Sequence, residues 1–218
     1  MINTEQARFN MIEQQIRPWD VLDTAVLDLL AQVRREDFVP PAYRSLAFVD
    51  SEIPLPEGQC MLAPRVEARL LQDAQVQRHE RVLEIGAGSG FMAALLAHRA
   101  QTVVSLERSA VLAKMATDNL RRAGMANASV RQMDGAGGLP GEAPFDVIVL
   151  SGSVAQVPQA LLKQLKVGGR LIGIFGQEPM MNALRVTRIG EAGFQTDMLF
   201  ETVAPRLSGF DEPSRFSF

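Results

Sequence analysis

The sequence predicts an α/β fold: a mostly parallel, seven-stranded sheet with an antiparallel strand at its edge, preceded by an N-terminal helical extension. Three observations predict it. From Glu80 onward, short apolar runs alternate with stretches of helical periodicity, the order that builds strand–helix–strand crossovers. The last two apolar runs are joined only by Gly190-Glu191-Ala192-Gly193, which suits a tight antiparallel connection. Before residue 79 the pattern is helical and repeatedly broken by proline.

In the extension, Phe9, Ile12 and Ile16 recur at helical spacing, and Arg17-Pro18 closes the pattern because a residue before proline resists helical geometry. Asp23 is placed to cap a second helix over 25–30, and Pro40-Pro41 stops whatever continues past Arg35. Pro54, Pro56 and Gly58 mark a loop before a third helical stretch at 66–72. The core then reads as strands at 81–85, 102–107, 129–133, 145–150, 170–175, 184–189 and 194–203. Helices are expected at 92–97, at 110–122 with Gly124 as its stop, and at 158–165. One domain over 1–218 is expected, with residues 1–78 as helical extension and substrate-side segment and 79–218 as the α/β core.

With 218 residues, 47% of them hydrophobic, the chain can bury one substantial core. A net charge of −3, evenly spread, implies neither a nucleic-acid partner nor an anionic membrane surface. Cys60 is the only cysteine, so no intramolecular disulfide can form. The start, Met1 to Gln6, lacks the basic head and apolar run of a secretory signal, and a soluble, cytoplasmic protein is expected. Clustered His, Cys and acidic residues at metal-ligand spacing are absent from the sequence, so no metal is expected.

The chemistry concentrates where the first core strand runs into Glu84-Ile85-Gly86-Ala87-Gly88-Ser89-Gly90. Backbone without side chains at Gly86, Gly88 and Gly90 lets a nucleotide-like cofactor approach closely. A dinucleotide fingerprint wants its third glycine where Phe91 stands, and here it comes one residue early. That spacing disfavours a nicotinamide dehydrogenase and points to S-adenosyl-L-methionine, whose methionine tail has an ammonium group that Glu84 can face. Glu107, at the end of the second strand, is placed for both ribose hydroxyls. Asp134-Gly135 follows the third strand, where Asp134 can accept from the adenine amino group while Gly135 leaves room for the ring. Ala87 and Ser151 complete the expected cofactor contacts, Ser151-Gly152-Ser153 lying just past the fourth strand; Asp146 opens that strand at the opposite edge and reads as structural. The expected architecture is therefore a Rossmann-like methyltransferase fold.

Several segments resemble the protein-L-isoaspartate O-methyltransferase family across nearly the whole chain. They are Met11-Ile12-Glu13-Gln14-Gln15-Ile16-Arg17, Val33-Arg34-Arg35-Glu36-Asp37-Phe38-Val39-Pro40, Ala47-Phe48-Val49-Asp50 and Ile53-Pro54-Leu55-Pro56-Glu57-Gly58-Gln59. Later come Ala143-Pro144-Phe145-Asp146 and Gln164-Leu165-Lys166-Val167-Gly168-Gly169. The resemblance implies methyl transfer from S-adenosylmethionine to a protein or peptide carboxylate, that of an isoaspartyl residue, as a repair step. It also implies substrate contacts from Gln59, Cys60, Leu62 and Arg65. Leu62 stands where the family has a serine that orients the substrate carboxylate, Cys60 replaces a threonine and Ala63 a glutamine. Arg65 and Glu67 replace apolar or aromatic residues, and Phe210 to Phe218 departs from the usual ending. Weakened isoaspartyl activity is expected from Leu62, with Arg65 as a substitute carboxylate clamp. Another acceptor, or a cofactor-binding sensor without catalysis, is the alternative. The carboxylate nucleophile is already ionised, so no catalytic base is assigned, and Cys60 reads as a small packed thiol.

Overall fold

The computed structural model describes residues 3–212, so the start at Met1-Ile2 and the divergent ending from Pro213 lie outside the described residues. Helix α1 (Thr4–Met11) is capped by Asn3, whose side chain accepts from the Gln6 N–H at 3.3 Å. The helical path does not stop at Arg17. It continues through a π turn (Ile12–Ile16) and a 3₁₀ turn (Arg17–Trp19), with Arg17 at φ −56° and ψ −44°. Pro18 is tolerated because it sits in the first turn of the 3₁₀ segment, where its missing N–H leaves nothing unpaired. Asp20, at φ 63°, ends the path instead.

Asp23 caps α2 (Thr24–Gln32) as predicted, accepting from the Ala25 N–H at 2.8 Å. A small antiparallel pair, β1 (Ile53–Pro54) and β2 (Cys60–Met61), leads into α3 (Pro64–Ala74). The core follows in order as β3 (Arg81–Ile85), α4 (Phe91–Arg99), β4 (Thr102–Glu107), α5 (Ala110–Arg122) and β5 (Ala128–Gln132). It is completed by β6 (Phe145–Val154), α6 (Gln159–Leu162), β7 (Leu165–Gln177), β8 (Met180–Arg188) and β9 (Phe194–Glu201). These seven strands form one sheet in the order β5-β4-β3-β6-β7-β8-β9. Strands β5 to β7 are parallel, and β8 runs antiparallel to both of its neighbours, with β9 outside it at the edge.

Two boundaries differ from expectation for tertiary reasons. Ser151-Gly152-Ser153 lies inside β6, because the strand shifts register between Val149 and Ser153 and continues. Its end is held by the C-terminal segment: Ser153 N–H donates to the Pro205 carbonyl at 2.7 Å, and Leu207 N–H to the Ser153 carbonyl at 2.9 Å. Helix α6 has four residues where eight were expected over 158–165, since Leu165 already pairs with Phe145 as the start of β7.

Arg35, from a 3₁₀ turn after α2, is 1% exposed and ties the extension to the core. Its guanidinium donates to the Glu67 carboxylate on α3, donates to the Leu62 carbonyl at 2.8 Å, and lies 4.9 Å from the Phe91 ring centre. Gly90, just before α4, has φ 84°, and a Cβ there would lie 3.1 Å from both Cα and the carbonyl oxygen of Ala116 on α5. Gly124, at φ 73°, has open space around it. Gly124→Ala should therefore cost only the left-handed backbone penalty, about 1 kcal/mol, whereas Gly90→Ala adds a backbone clash and should cost clearly more. Urea unfolding of both variants checks this; equal losses would contradict the close approach of α5.

Candidate functional site

The carboxyl ends of β3, β4 and β6 open onto a cavity of about 450 Å³, lined by Gly86, Gly88, Glu107, Gly135 and Ser151 among the predicted cofactor residues. This is the edge at which open α/β sheets bind ligands. The strand-to-helix turn is built by left-handed glycines, Gly86 at φ 90° and Gly88 at φ 53°, and closed by Gly90 N–H donating to the Ala87 carbonyl at 2.7 Å. A Cβ at Gly86 would meet the Leu207 side chain at 2.6 Å, and one at Gly135 would meet Ile85 at 2.5 Å. Gly90 itself turns toward α5 and is not among the residues lining the cavity at this edge, so its place in the motif is packing.

Glu107 ends β4 with its carboxylate at the cavity wall, accepting from the Gly88 N–H and the Ser109 N–H, each at 2.9 Å. Those bonds fix its orientation while leaving each oxygen a further acceptor site. Glu84 is fully buried at the end of β3, where Ser105 and Ser151 hydroxyls donate to its carboxylate, the latter at 2.7 Å. Burial pushes its carboxyl up to about 7 against the pull of those two hydroxyls, with Glu107 and Glu67 nearby raising it further. Asp134 stands at the rim rather than in the wall: it accepts from Ala136 N–H at 2.9 Å, faces Arg108 at 4.0 Å, and is closely covered by Gly209. Asp146 is engaged at the opposite edge by Arg81 N–H at 2.8 Å and by Lys166 at 2.7 Å, a structural role.

A second, much smaller cavity adjoins the first and is lined by Cys60, Leu62, Glu67, Glu84, Ala87 and Ser151, among others. Gln59 and Cys60 line the larger cavity, so β2 and its approach form part of its wall. Leu62 is buried and offers only hydrocarbon there, its carbonyl being taken by Arg35. Cys60 lies 3.6 Å from Glu52, and burial, reinforced by that carboxylate, pushes its thiol up to about 12. That shift favours the protonated thiol over the nucleophilic thiolate. Arg65 lines neither cavity. It pairs with Asp50 at 2.7 Å and lies over the Trp19 ring at 4.3 Å, so the clamp expected from sequence is turned elsewhere.

The structure adds residues that the sequence did not single out. Ser105 was legible as a lone hydroxyl inside an apolar strand, and Arg108 and Ser109 follow Glu107 directly. Leu207 and Ser208 reach the cavity only because the C-terminal segment pairs with β6, which no local pattern announces. Among the described residues no cluster of metal-ligating side chains occurs, and no helix is long and apolar enough to cross a membrane. The glycine cradle, with the buried Glu84 and the wall of Glu107, fits an adenosyl cofactor with an ammonium-bearing tail.

A family model described as protein-L-isoaspartate(D-aspartate) O-methyltransferase matches residues 6–203. The chain is 40% identical over 190 residues to a protein-L-isoaspartate O-methyltransferase of Rhodopseudomonas palustris, covering 87% of each. It is 41% identical over 181 residues to that of Koribacter versatilis, covering 83% of this chain and 81% of the relative. Among solved structures, one protein-L-isoaspartate O-methyltransferase superimposes with a TM-score of 0.78 at 24% identity, over 94% of this chain and 66% of that one. A Plasmodium falciparum structure named for the same family, in complex with S-adenosyl-L-homocysteine, gives 0.75 at 19% identity over 95% and 99%. The structural likenesses establish the fold.

The buried Glu84 also sets a pH dependence. A carboxyl that holds its proton more tightly folded than unfolded contributes stability below its ordinary value of 4.5 and loses that contribution as pH rises through about 7. Ligand-free stability should therefore decline between about pH 5 and 8, and Glu84→Gln should flatten that decline. Denaturant titration across this range measures it; an unchanged slope in the variant would contradict the placement of Glu84 as a buried acid without a cationic partner.

Proposed function

Because this chain belongs to the protein-L-isoaspartate(D-aspartate) O-methyltransferase family, we propose that it moves a methyl group from S-adenosylmethionine to a carboxylate of a protein or peptide, the isoaspartyl residue being the acceptor its relatives' names imply. The observation that carries this reading is the meeting of the left-handed glycine turn, Glu84 and Glu107 at one sheet edge. A cytoplasmic setting suits a chain whose lone cysteine can form no internal disulfide.

The cofactor supplies an electrophilic methyl group on a sulfonium. Glu107, already oriented by two backbone N–H groups, would receive the ribose hydroxyls, and Gly135, packed closely against Ile85, would line the adenine end of the same cavity. Asp134, at the rim, would be the acceptor for the adenine amino group. Glu84 would face the ammonium group, whose positive charge would favour the ionised carboxylate over the protonated form that burial favours. Residues 1–78 supply the acceptor side of the domain and 79–218 the cofactor side. Leu62 and Met61, both buried, keep water from the transfer point, and an ionised carboxylate needs positioning there rather than a base.

Positioning is where this chain is weak. Leu62 donates nothing to an incoming carboxylate, and a positioned donor is typically worth about 3 kcal/mol in the transition state. Arg108 is the one cation among the residues lining the two cavities, while Arg35 is committed to Glu67 and Arg65 to Asp50. That scarcity of positive charge favours, as a second reading, a different acceptor or a cofactor-binding role with little turnover.

Glu107→Ala should weaken S-adenosylhomocysteine binding about tenfold or more, the equivalent of about 1.4 kcal/mol for a charged acceptor of two hydroxyls. Calorimetry reads this directly, and unchanged affinity would remove Glu107 from the cofactor site. Wild-type turnover of an isoaspartyl peptide, followed with labelled cofactor against its aspartyl counterpart, should be slow. Leu62→Ser should raise it in part, since Cys60 and Ala63 also differ and residues acting as a unit are seldom restored singly. Fast wild-type turnover, or no gain in the variant, would refute the role given to Leu62.

A further inference from the structure

On the far side of the glycine loop, a groove between the extension and the backs of α4 and α5 encloses about 500 Å³, slightly more than the 450 Å³ at the sheet edge. Small-molecule sites span roughly 300–1,000 Å³ and combine an apolar floor with a few convergent polar groups. Here the floor includes the buried Phe38 ring, and the rim carries Arg34, Arg44 and Arg122 against the single carboxylate of Asp37. The three guanidinium groups are not equally engaged. Arg34 is neutralised by Glu36 at 3.2 Å and Asp37 at 3.4 Å. Arg122 donates directly only to uncharged oxygens, the Asp37 carbonyl at 3.3 Å and Asn119 Oδ1, with the Asp118 carboxylate acting on it at longer range. Arg44 has no side-chain hydrogen-bond or ion-pair partner among the described residues. His98, whose pKa burial lowers, adds a neutral ring to the wall. In a chain of net charge −3, this is a local concentration of unpaired positive charge over an apolar floor.

We propose that this groove is a second binding site, taking a small organic anion with phosphate or carboxylate groups between Arg44 and Arg122, and that its occupancy is coupled to the cofactor loop. The route of coupling is short. Arg122 holds Asn119 Oδ1, and the Nδ2 group of the buried Asn119 donates to the Ser89 carbonyl, inside the glycine turn, at 2.8 Å. Phe38 also packs edge-on against Phe91, the first residue of α4, at 5.4 Å. An anion that draws Arg122 away from Asn119 changes what holds Ser89. By linkage, the anion and the cofactor must then alter each other's affinity by the same factor. The anion site stands on its own geometry; only the coupling rests on the methyltransferase reading.

Calorimetric titration of the full chain with inorganic pyrophosphate, and separately with citrate, tests the site and distinguishes phosphate from carboxylate. At low salt one of the two should bind with a Kd below about 1 mM, and Arg44→Ala and Arg122→Ala should each weaken it about tenfold. Arg44 is exposed, so its variant keeps the fold even if the Arg122 variant does not. No binding by either probe, or binding that Arg44→Ala leaves unchanged, overturns the site and leaves Arg122 as a complement to the C-terminal end of α5. Repeating the titration with saturating S-adenosylhomocysteine should shift the anion's affinity about threefold or more, and an unchanged value overturns the coupling. Failure of S-adenosylhomocysteine to bind would count against the cofactor reading, while the probe titrations would still decide the groove.

Discussion

The buried Arg35 guanidinium is the tie on which the arrangement around the cofactor loop depends. One side chain from the extension reaches Glu67 on α3, the carbonyl of Leu62 and the face of Phe91 at the start of α4. Burying that charge costs several kcal/mol of lost hydration, recovered only if the partners are well placed. Glu67 provides one of them, although burial raises its own carboxyl to about 7 against the pull of Arg35. Arg35 Nε has no partner, so the compensation is incomplete and the pair acts mainly as a locator. What it locates is the turn carrying Leu62, held against the glycine loop.

From that tie the rest of the site follows in layers. The left-handed turn at Gly86 and Gly88 brings backbone to the cavity, and Glu107 locks it from β4 through the Gly88 N–H. The C-terminal segment then closes over the same turn, with Leu207 packed where any side chain at Gly86 or Gly152 would have to go. The glycines therefore answer two demands at once, a ligand's approach and a strap's. Glu84 sits beneath, buried and hydroxyl-bonded, a carboxyl whose charge is costly until a cation arrives.

Much of this was legible in the sequence wherever the cause is local. Strands 81–85 and 102–107 and helix 110–122 have the bounds that apolar period and capping predict, because each is enclosed by its own stop signals. Glu84, Glu107 and Gly135 come together around one sheet edge as their strand-end positions in the sequence imply, because a strand's end fixes a residue's place without reference to the rest of the fold. Pro18 misled because its effect depends on where in a turn it falls, and β6 ran on because residues 205–207 pair with it from far along the chain. Arg65 was read as a clamp from its neighbours in sequence. In the fold, Asp50 and Trp19 compete for it and win.

A crystal structure of the chain with S-adenosylhomocysteine tests the central claim most directly. The account predicts ribose hydroxyls within hydrogen-bond distance of the Glu107 carboxylate, the adenine beside Gly135, the ammonium group toward Glu84, and the sulfur facing the wall of Cys60 and Leu62. A ligand seated elsewhere, or one at this edge with Glu107 turned away and a polar side chain from outside the described wall at the sulfur, would contradict it.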